Sequence, residues 1–345
     1  MSTQTEARVR TASSPIPSFA ASGLSALRRS GIVLPFIGLL VVLSFVSPSF
    51  ATQINLTNIL DQQSAILIIA CAGTLVFITG GLDLSVGATY ALAAVITADL
   101  AQHHNLVVAL AAGLLVGALA GLVNGLVVTV LSINSLIATL ATSFVIGGLA
   151  ALLTSGNSIT LYDNEGYGKL AGSILLELTS AVWIMMAVAV ALGLALWGTP
   201  FGRRAYAVGG NASAARLAGL RVIQIRVLAF VLSGVAAAAG GLIDSSRVLS
   251  AQSSAGGDAL TFTVIAGIVV GGTSIHGGEG AIWRTVLGVL FLALVGNGYN
   301  LLGLDPLYQR ITLGVLILLA VGLERLVSLA RQGGSWTRHR LRGAA

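Results

Sequence analysis

The chain has 345 residues, 56% of them hydrophobic and 9% charged, with a mean hydropathy of +0.94. A water-soluble domain carries roughly a quarter charged residues, so this composition excludes that class and describes a polytopic membrane protein. The net charge of +6 rests on 17 arginines and the single Lys169, spread over loops and tails rather than gathered on one domain face, which argues against nucleic-acid binding.

Two further classes are excluded by single residues. Lys169 follows Gly168, but Asp163 stands where a phosphate-binding loop needs its first glycine, so the chain does not hydrolyse ATP by such a loop. Cys71 is the lone cysteine, which leaves no intrachain disulfide and no metal site with several thiolates.

Residues 1–30 are rich in Ser, Thr and Arg without an apolar core, and read as a disordered cytoplasmic tail. Ten apolar spans follow, at roughly 31–48, 58–80, 84–102, 106–131, 134–153, 180–199, 226–244, 259–273, 281–301 and 307–326. The first is longer than a signal-peptide core and more spans follow it, so it reads as a retained anchor. The eighth is short and Gly-rich, as in a broken or tilted helix. Residues 31–327 thus form an all-α transmembrane domain, and 328–345 a basic cytoplasmic tail.

Charge placement agrees with ten spans. Arg8, Arg10, Arg28 and Arg29 place the N-terminus inside. The loop after span six carries Arg203, Arg204, Arg216, Arg221 and Arg226, and the last tail carries Arg331, Arg338, Arg340 and Arg342. Both fall inside on this count. The loop after span five falls outside and holds Asp163, Glu165 and Glu177 against Lys169. Spans two to five and seven to ten flank span six as equal blocks entering from opposite sides, the arrangement of inverted repeats.

Between spans two and three, Gly80-Gly81-Leu82-Asp83-Leu84-Ser85-Val86-Gly87 makes a tight turn. Asp83 reads as the N-cap of span three, with lining of a polar path as its second reading. Span four carries Gly113, Gly117, Gly121 and Gly125 at spacing four, a small-residue strip against which another backbone can pack. Gly267 and Gly271 repeat that spacing in span eight.

Polar groups at membrane depth are costly and should face protein or water. Asp61, Asp99, Asp244, Arg284 and Arg310 fall near span ends, where they can anchor or pair. Asn124, Asn297 and Asn300 are deeper and neutral. Amides suit a polyhydroxyl solute because each offers donors and acceptors without fixed charge. The bland reading, which comes first for any single Asn, is that they tie helices together. His103, His104, His276 and His339 have no ligand-spaced partner inside an apolar block, so neither a metal site nor a catalytic residue is assigned.

Residues 200–226 form a cytoplasmic segment with its own design. Gly209 and Gly210 break the chain, Asn211 caps a short Ala-rich helix, and Gly219 ends it. Two turns are marginal alone in water, so this helix needs support from the bundle or from a partner.

This segment resembles the coupling-helix region of permeases in ATP-binding-cassette importers. More narrowly it is similar to the ribose/xylose-type monosaccharide permeases. Gly80–Gly87, Ile133–Ala141, Gly271–Gly280 and Asn297–Gly303 match that family in the same order, with Gly296 replacing an Asn, over about residues 31–327.

The resemblance implies a subunit of a bacterial inner-membrane importer, with both termini cytoplasmic. A second permease subunit, identical or different, completes the pathway. A cytoplasmic ATPase binds ATP and Mg, and a periplasmic or lipid-anchored protein delivers the sugar. The chain itself needs no cofactor. By motif match, Gly202, Arg203, Tyr206, Gly209 and Gly210 would meet the ATPase, together with Asn211, Ala214, Ala215, Arg216 and Gly219.

The family usually carries two acids where this chain has Thr261 and Thr263, and often a basic residue where it has Glu279. These departures bear on the substrate rather than on the class. Two other readings stay open: a branched-chain amino-acid permease of the same architecture, and an ion-coupled transporter using Asp61, Asp99 or Asp244.

Overall fold

The computed structural model describes residues 31–161, 164–305 and part of 307–322. In chain order come α1 (Val33–Val46), α2 (Gln53–Ile78), α3 (Val86–His103), α4 (Leu106–Thr129) and α5 (Ser135–Thr154). The next loop contains β1 (Ser158–Thr160), α6 (Glu165–Gly172), β2 (Ile174–Leu175) and β3 (Leu178–Thr179), and leads into α7 (Ser180–Gly198). Then follow α8 (Pro200–Gly210), α9 (Ala212–Leu217), α10 (Val222–Val248), β4 (Ser250–Gln252), α11 (Gly257–Val270) and α12 (Ile282–Leu301).

Each of the first nine expected spans coincides with a helix. The described residues within 307–322 are helical, while both expected tails and Arg310 lie outside the described residues. Among the described residues, α2, α4, α5, α7, α10 and α12 are long and apolar enough to cross a membrane. The apolar helices α1 and α11 are shorter, at 14 residues each. Two boundaries move outward from the apolar runs. The polar start of α2, Gln53–Thr57, stays helical because the Thr52 hydroxyl caps it, accepting from the Asn55 N–H at 3.4 Å. The other is α10, which begins at Val222, four residues before its apolar run, without a side-chain cap.

The core lies where α2, α3 and α10 meet. The most apolar window of α2 is 72% buried, against 22% for those of α4, α5 and α7. Leu67, Ile68, Ile69, Phe77 and Phe230 sit in this centre with almost no exposed surface. The outer helices instead turn apolar side chains outward, as a surface facing lipid or another subunit does.

Close approach of α4 to α10 depends on glycine. A Cβ on Gly117 would lie 2.3 Å from the Gly234 carbonyl oxygen, and one on Gly121 would lie 2.2 Å from that of Phe230. Gly113 and Gly125 continue the contact, against Thr97 and Leu242 and against Val227. On α11, Gly267 meets Val289 and Gly271 meets the Arg284 backbone, both of α12. At Gly117, Gly121, Gly125 and Gly271 the nearest atoms are backbone, the close approach that small residues permit in membrane bundles, while Gly113 and Gly267 lie against side chains.

The loop after α5 carries short β-ribbons within the otherwise helical fold. β1 pairs antiparallel with β4, with Ile159 opposite Ala251, and β2 pairs with β3. Tyr167 of α6 is buried and shares a 2.6 Å hydrogen bond with Ser245 of α10, while the Ser246 hydroxyl donates to the Tyr167 carbonyl at 2.6 Å. Together these bonds fasten the loop over the C-terminal end of α10.

Candidate functional site

At the other end of α10 sit α8 and α9. Pro200 opens α8 in its first turn, where no N–H partner is lost. Gly202 allows the abrupt turn from α7, since a Cβ there would lie 1.9 Å from the Leu196 carbonyl oxygen. Ala205 and Val208 are buried on one face of α8, and Arg203 and Arg204 are exposed on the other. The Tyr206 hydroxyl donates to the Gly280 carbonyl at 2.9 Å. Burial pushes this phenol above its ordinary range, and the nearby Arg284 charge pulls it back.

Gly209 lies inside a junction of three backbones. A Cβ on it would fall 1.7 Å from the Ile78 carbonyl oxygen and 2.6 Å from the Gly278 nitrogen. That same Ile78 carbonyl accepts from the Gly278 N–H at 2.9 Å, and Gly277 stands against Gly80. The expected chain break at Gly209-Gly210 is therefore corrected. The helix runs through both residues, and the absence of a side chain at Gly209 serves contact rather than interruption. Asn211 then caps α9, its Oδ1 accepting the Ala214 N–H at 2.9 Å. Ala215 is buried, whereas Ala214 and Arg216 are exposed. Gly219, at φ +80°, closes α9 in the left-handed conformation.

The segment joining α2 to α3 meets this junction directly. The Gly80 N–H bonds the Phe77 carbonyl and the Gly81 N–H bonds that of Val76, a helix stop built on Gly80 at φ +81°. Asp83 follows, buried. Its Oδ1 accepts from the Ser85 N–H at 3.0 Å and the Ser85 hydroxyl at 2.7 Å, and its Oδ2 accepts from Ser233 of α10 at 2.8 Å. The expected cap role is thus corrected. Ser85 occupies the N-cap position of α3, and the carboxylate of Asp83 is turned partly toward α10. Asn124 donates to the Ser85 hydroxyl at 2.7 Å and accepts from Thr142 at 2.6 Å. Ser135 and Thr139 of α5 take up the free N–H groups of Leu82 and Leu84, at 3.1 Å and 2.9 Å. One buried network therefore joins this turn to α4, α5 and α10.

The four residues expected along a polar path do not converge. Asp83 and Asn124 share the network just described. Asn297 of α12 instead pairs amide to amide with Asn55 of α2, at 2.8 Å and 3.1 Å, and Asn300 is exposed beyond it. Both lie toward the opposite end of the bundle. There, too, Arg247 bonds Asp244 and lies 3.4 Å from Asp61, while Tyr90 donates to Asp244 and Thr179 to Asp61. Asp99 is exposed. The Thr261 hydroxyl accepts the Gly87 N–H at 3.2 Å and donates to the Gly257 carbonyl at 3.1 Å, so it seals α11 against α3. Thr263 is half-buried and bonds its own helix at Ala259. Among the described residues no three His, Cys, Asp or Glu side chains converge as metal ligands.

The sequence reading missed Ser85, Ser233, Thr142, Asn55 and Arg247. Ser85 lay inside a quoted motif, and Arg247 stood close to the predicted end of its span. The other three carry no local signal.

Residues 55–321 match the family described as branched-chain amino acid transport system / permease component. The chain belongs to this permease family. It is 40% identical over 296 residues to the ribose import permease protein RbsC of Bacillus subtilis (strain 168), covering 84% of this chain and 92% of that protein. Against the RbsC of Escherichia coli (strain K12) the identity is 38% over 287 residues, covering 82% and 89%. The L-arabinose transport system permease protein AraH of Escherichia coli (strain K12) is 36% identical over 305 residues, covering 88% and 92%. No solved structure matches the chain.

Proposed function

We propose that this permease is the membrane-spanning subunit of an ATP-binding-cassette importer for a monosaccharide or similar polyol, set in a bacterial cytoplasmic membrane. The reading is carried by the backbone junction of α8 with Gly80 and Gly277–Gly278, in a chain whose curated relatives serve ribose and L-arabinose. In it, α8 and α9 face the cytoplasm, as do both termini. Arg203, Ala214 and Arg216 present the exposed surface on which a cytoplasmic ATPase docks, and that partner binds ATP and Mg. A periplasmic or lipid-anchored sugar-binding protein meets the opposite end, where α6 and the β-ribbons lie. A second permease subunit, identical or different, completes the pathway through the outward-facing apolar helices.

The family description also names branched-chain amino acids, but the relatives at 36–40% identity are sugar permeases, which favours the sugar. An ion-driven mechanism needs available intramembrane carboxylates, and Asp61 and Asp244 are already compensated by Arg247.

The test is Arg216→Glu, alongside deletion of 211–218. Both should abolish sugar uptake and co-purification of the ATPase while membrane insertion continues. Undiminished co-purification would remove α9 from the contact. A reporter fused after Lys169 should read external and one after Arg204 internal; the reverse would overturn the orientation.

A further inference from the structure

A cavity of about 440 Å³ opens beside the α8–α9 end, between the α4–α5 turn and the start of α10. Its character is cationic. Arg216 and Arg226 both line it, and among the described residues neither has a carboxylate within ion-pair distance. Arg226 is half-buried and spends its Nε on the Thr79 carbonyl at 3.1 Å, which fixes the guanidinium without neutralising it. The remaining polar wall comes from Thr129, Ser132, Asn134 and Ser135. Val222 and Ile223 bring the first turn of α10 to the same space, and that helix starts without a side-chain cap. Its free N–H groups add positive potential.

Such a cavity selects an anion with several acceptor oxygens. Guanidinium groups match a phosphate through paired N–H donors, and hydroxyl and amide groups complete the shell. The surroundings then separate the two sources of a phosphate. At the cavity's edge the chain exposes Val130, Leu131 and Ile133, and the first turn of α5 continues with exposed Leu136 and Ile137. A free inorganic anion has no use for this apolar border. An amphiphile uses both parts, placing its phosphate between the arginines and its acyl chains along α4 and α5. Basic pockets between membrane helices recognise anionic lipid headgroups in this manner. We infer that the cavity bounded by Arg216 and Arg226 holds the phosphate headgroup of an anionic phospholipid, with its chains against the exposed ends of α4 and α5.

The inference does not need the transport reading, and its test uses neither the ATPase nor a sugar. The purified full chain in neutral detergent is titrated separately with phosphatidylglycerol, phosphatidylcholine and inorganic phosphate. Retained lipid is read by native mass spectrometry and stabilisation by thermal melting. Phosphatidylglycerol should bind and stabilise. Phosphatidylcholine should bind weakly, because its ammonium meets the two guanidinium groups. Arg216→Gln and Arg226→Gln should each weaken phosphatidylglycerol about fivefold, the effect of one basic residue on an anionic headgroup. Arg226→Lys should retain most of the binding, and Arg204→Gln, outside the cavity, should leave lipid retention unchanged. Should Arg226→Gln fail to fold for want of its bond to Thr79, Arg216→Gln carries the result. Equal lipid retention by wild type and Arg216→Gln would overturn the assignment. So would equal stabilisation by inorganic phosphate alone, which would make the site one for a free anion. Expulsion of phosphatidylglycerol on adding the ATPase, with Arg216→Gln weakening only the ATPase, would assign the cavity to a partner carboxylate and equally overturn it.

Discussion

Gly209 and Gly210 are neighbours in one helical turn, yet the structure gives them opposite tolerances. A Cβ on Gly209 would lie 1.7 Å from the Ile78 oxygen, where an ordinary contact needs at least 3.4 Å, so α8 must withdraw by about 1.7 Å. The obstacle is backbone at the end of α2, which cannot rotate away as a side chain can. Withdrawal strains the Tyr206–Gly280 hydrogen bond of 2.9 Å, whose donor α8 carries. Overpacking costs about 1–3 kcal/mol, and each weakened hydrogen bond about 0.5–1.5 kcal/mol. Gly209→Ala should therefore cost about 1.5–4.5 kcal/mol of docking, a shift of about tenfold or more in the docked fraction. At Gly210 a Cβ meets nothing within 4 Å. Gly210→Ala should be neutral, or stabilising by up to about 1 kcal/mol through reduced backbone entropy. The assay is sugar uptake in cells carrying the ATPase, paired with thermal unfolding of the purified permease. Loss of uptake and a lower melting temperature should follow Gly209→Ala alone. If the two variants behave alike in both measurements, the close-contact reasoning is wrong.

Other consequences follow from the same geometry. Gly121→Ala places a methyl group 2.2 Å from the Phe230 carbonyl oxygen and should destabilise by about 1–3 kcal/mol in thermal unfolding, whereas Gly148→Ala, with open space around its Cβ, should not. Asn124→Leu removes one hydrogen bond from each of Ser85 and Thr142, which keep their bonds to Asp83 and to the Thr139 carbonyl, and should cost about 1–3 kcal/mol, measured by the same melt. Arg247→Ala leaves Asp61 and Asp244 facing each other without a cation; with about a quarter of the arginine side chain exposed, solvent screening holds the loss to about 1–2 kcal/mol, and Asp61→Asn in the same chain should recover part of it. Burial pushes the Tyr167 phenol up to about 12, so its contribution to stability is intact below the ordinary tyrosine pKa of about 10 and is lost as pH rises through 12. In an absorbance titration, Tyr167→Phe should delete a late-ionising phenol.

What could be read from sequence divides along the range of each interaction. A membrane span declares itself because twenty adjacent apolar residues suffice, and α1 to α5 lie close to where the runs place them. The glycine strip of α4 was legible for a related reason, since spacing four defines one helical face without reference to the neighbour. Asp83 was not legible to the same degree. Its second oxygen is claimed by Ser233, 150 residues away, and Asn297 finds Asn55 across 242 residues. A hydroxyl or an amide has no preferred partner until the bundle is built, so residue type alone announces a polar group and not its role. Gly209 failed differently. Glycine within a helical run reads as a breaker by propensity, and tertiary close approach overrode that reading.

The glycine junction also limits how motion can pass through the permease. Side-chain contacts absorb small displacements by changing rotamer, but backbone-to-backbone contacts have no such slack. Gly209 abuts Ile78 and Gly278, and Gly277 abuts Gly80, so a displacement of α8 must carry the end of α2 and the 272–280 loop with it. Five residues beyond Ile78 stands Asp83, tied to α10 through Ser233 and, through Ser85 and Asn124, to α4 and α5. On the coupling proposed above, a thrust delivered at α9 would reach the centre of the bundle through these contacts. This is a physical connection rather than a line drawn between distant sites. On the same proposed coupling, a turn that passes on force must keep its shape, and each of its N–H groups at Leu82, Leu84 and Ser85 is held by a side chain. Ser233→Ala would free one carboxylate oxygen without disturbing the others. It should reduce uptake more than it reduces the amount of folded protein, and equal losses of both would mean that the network serves stability alone.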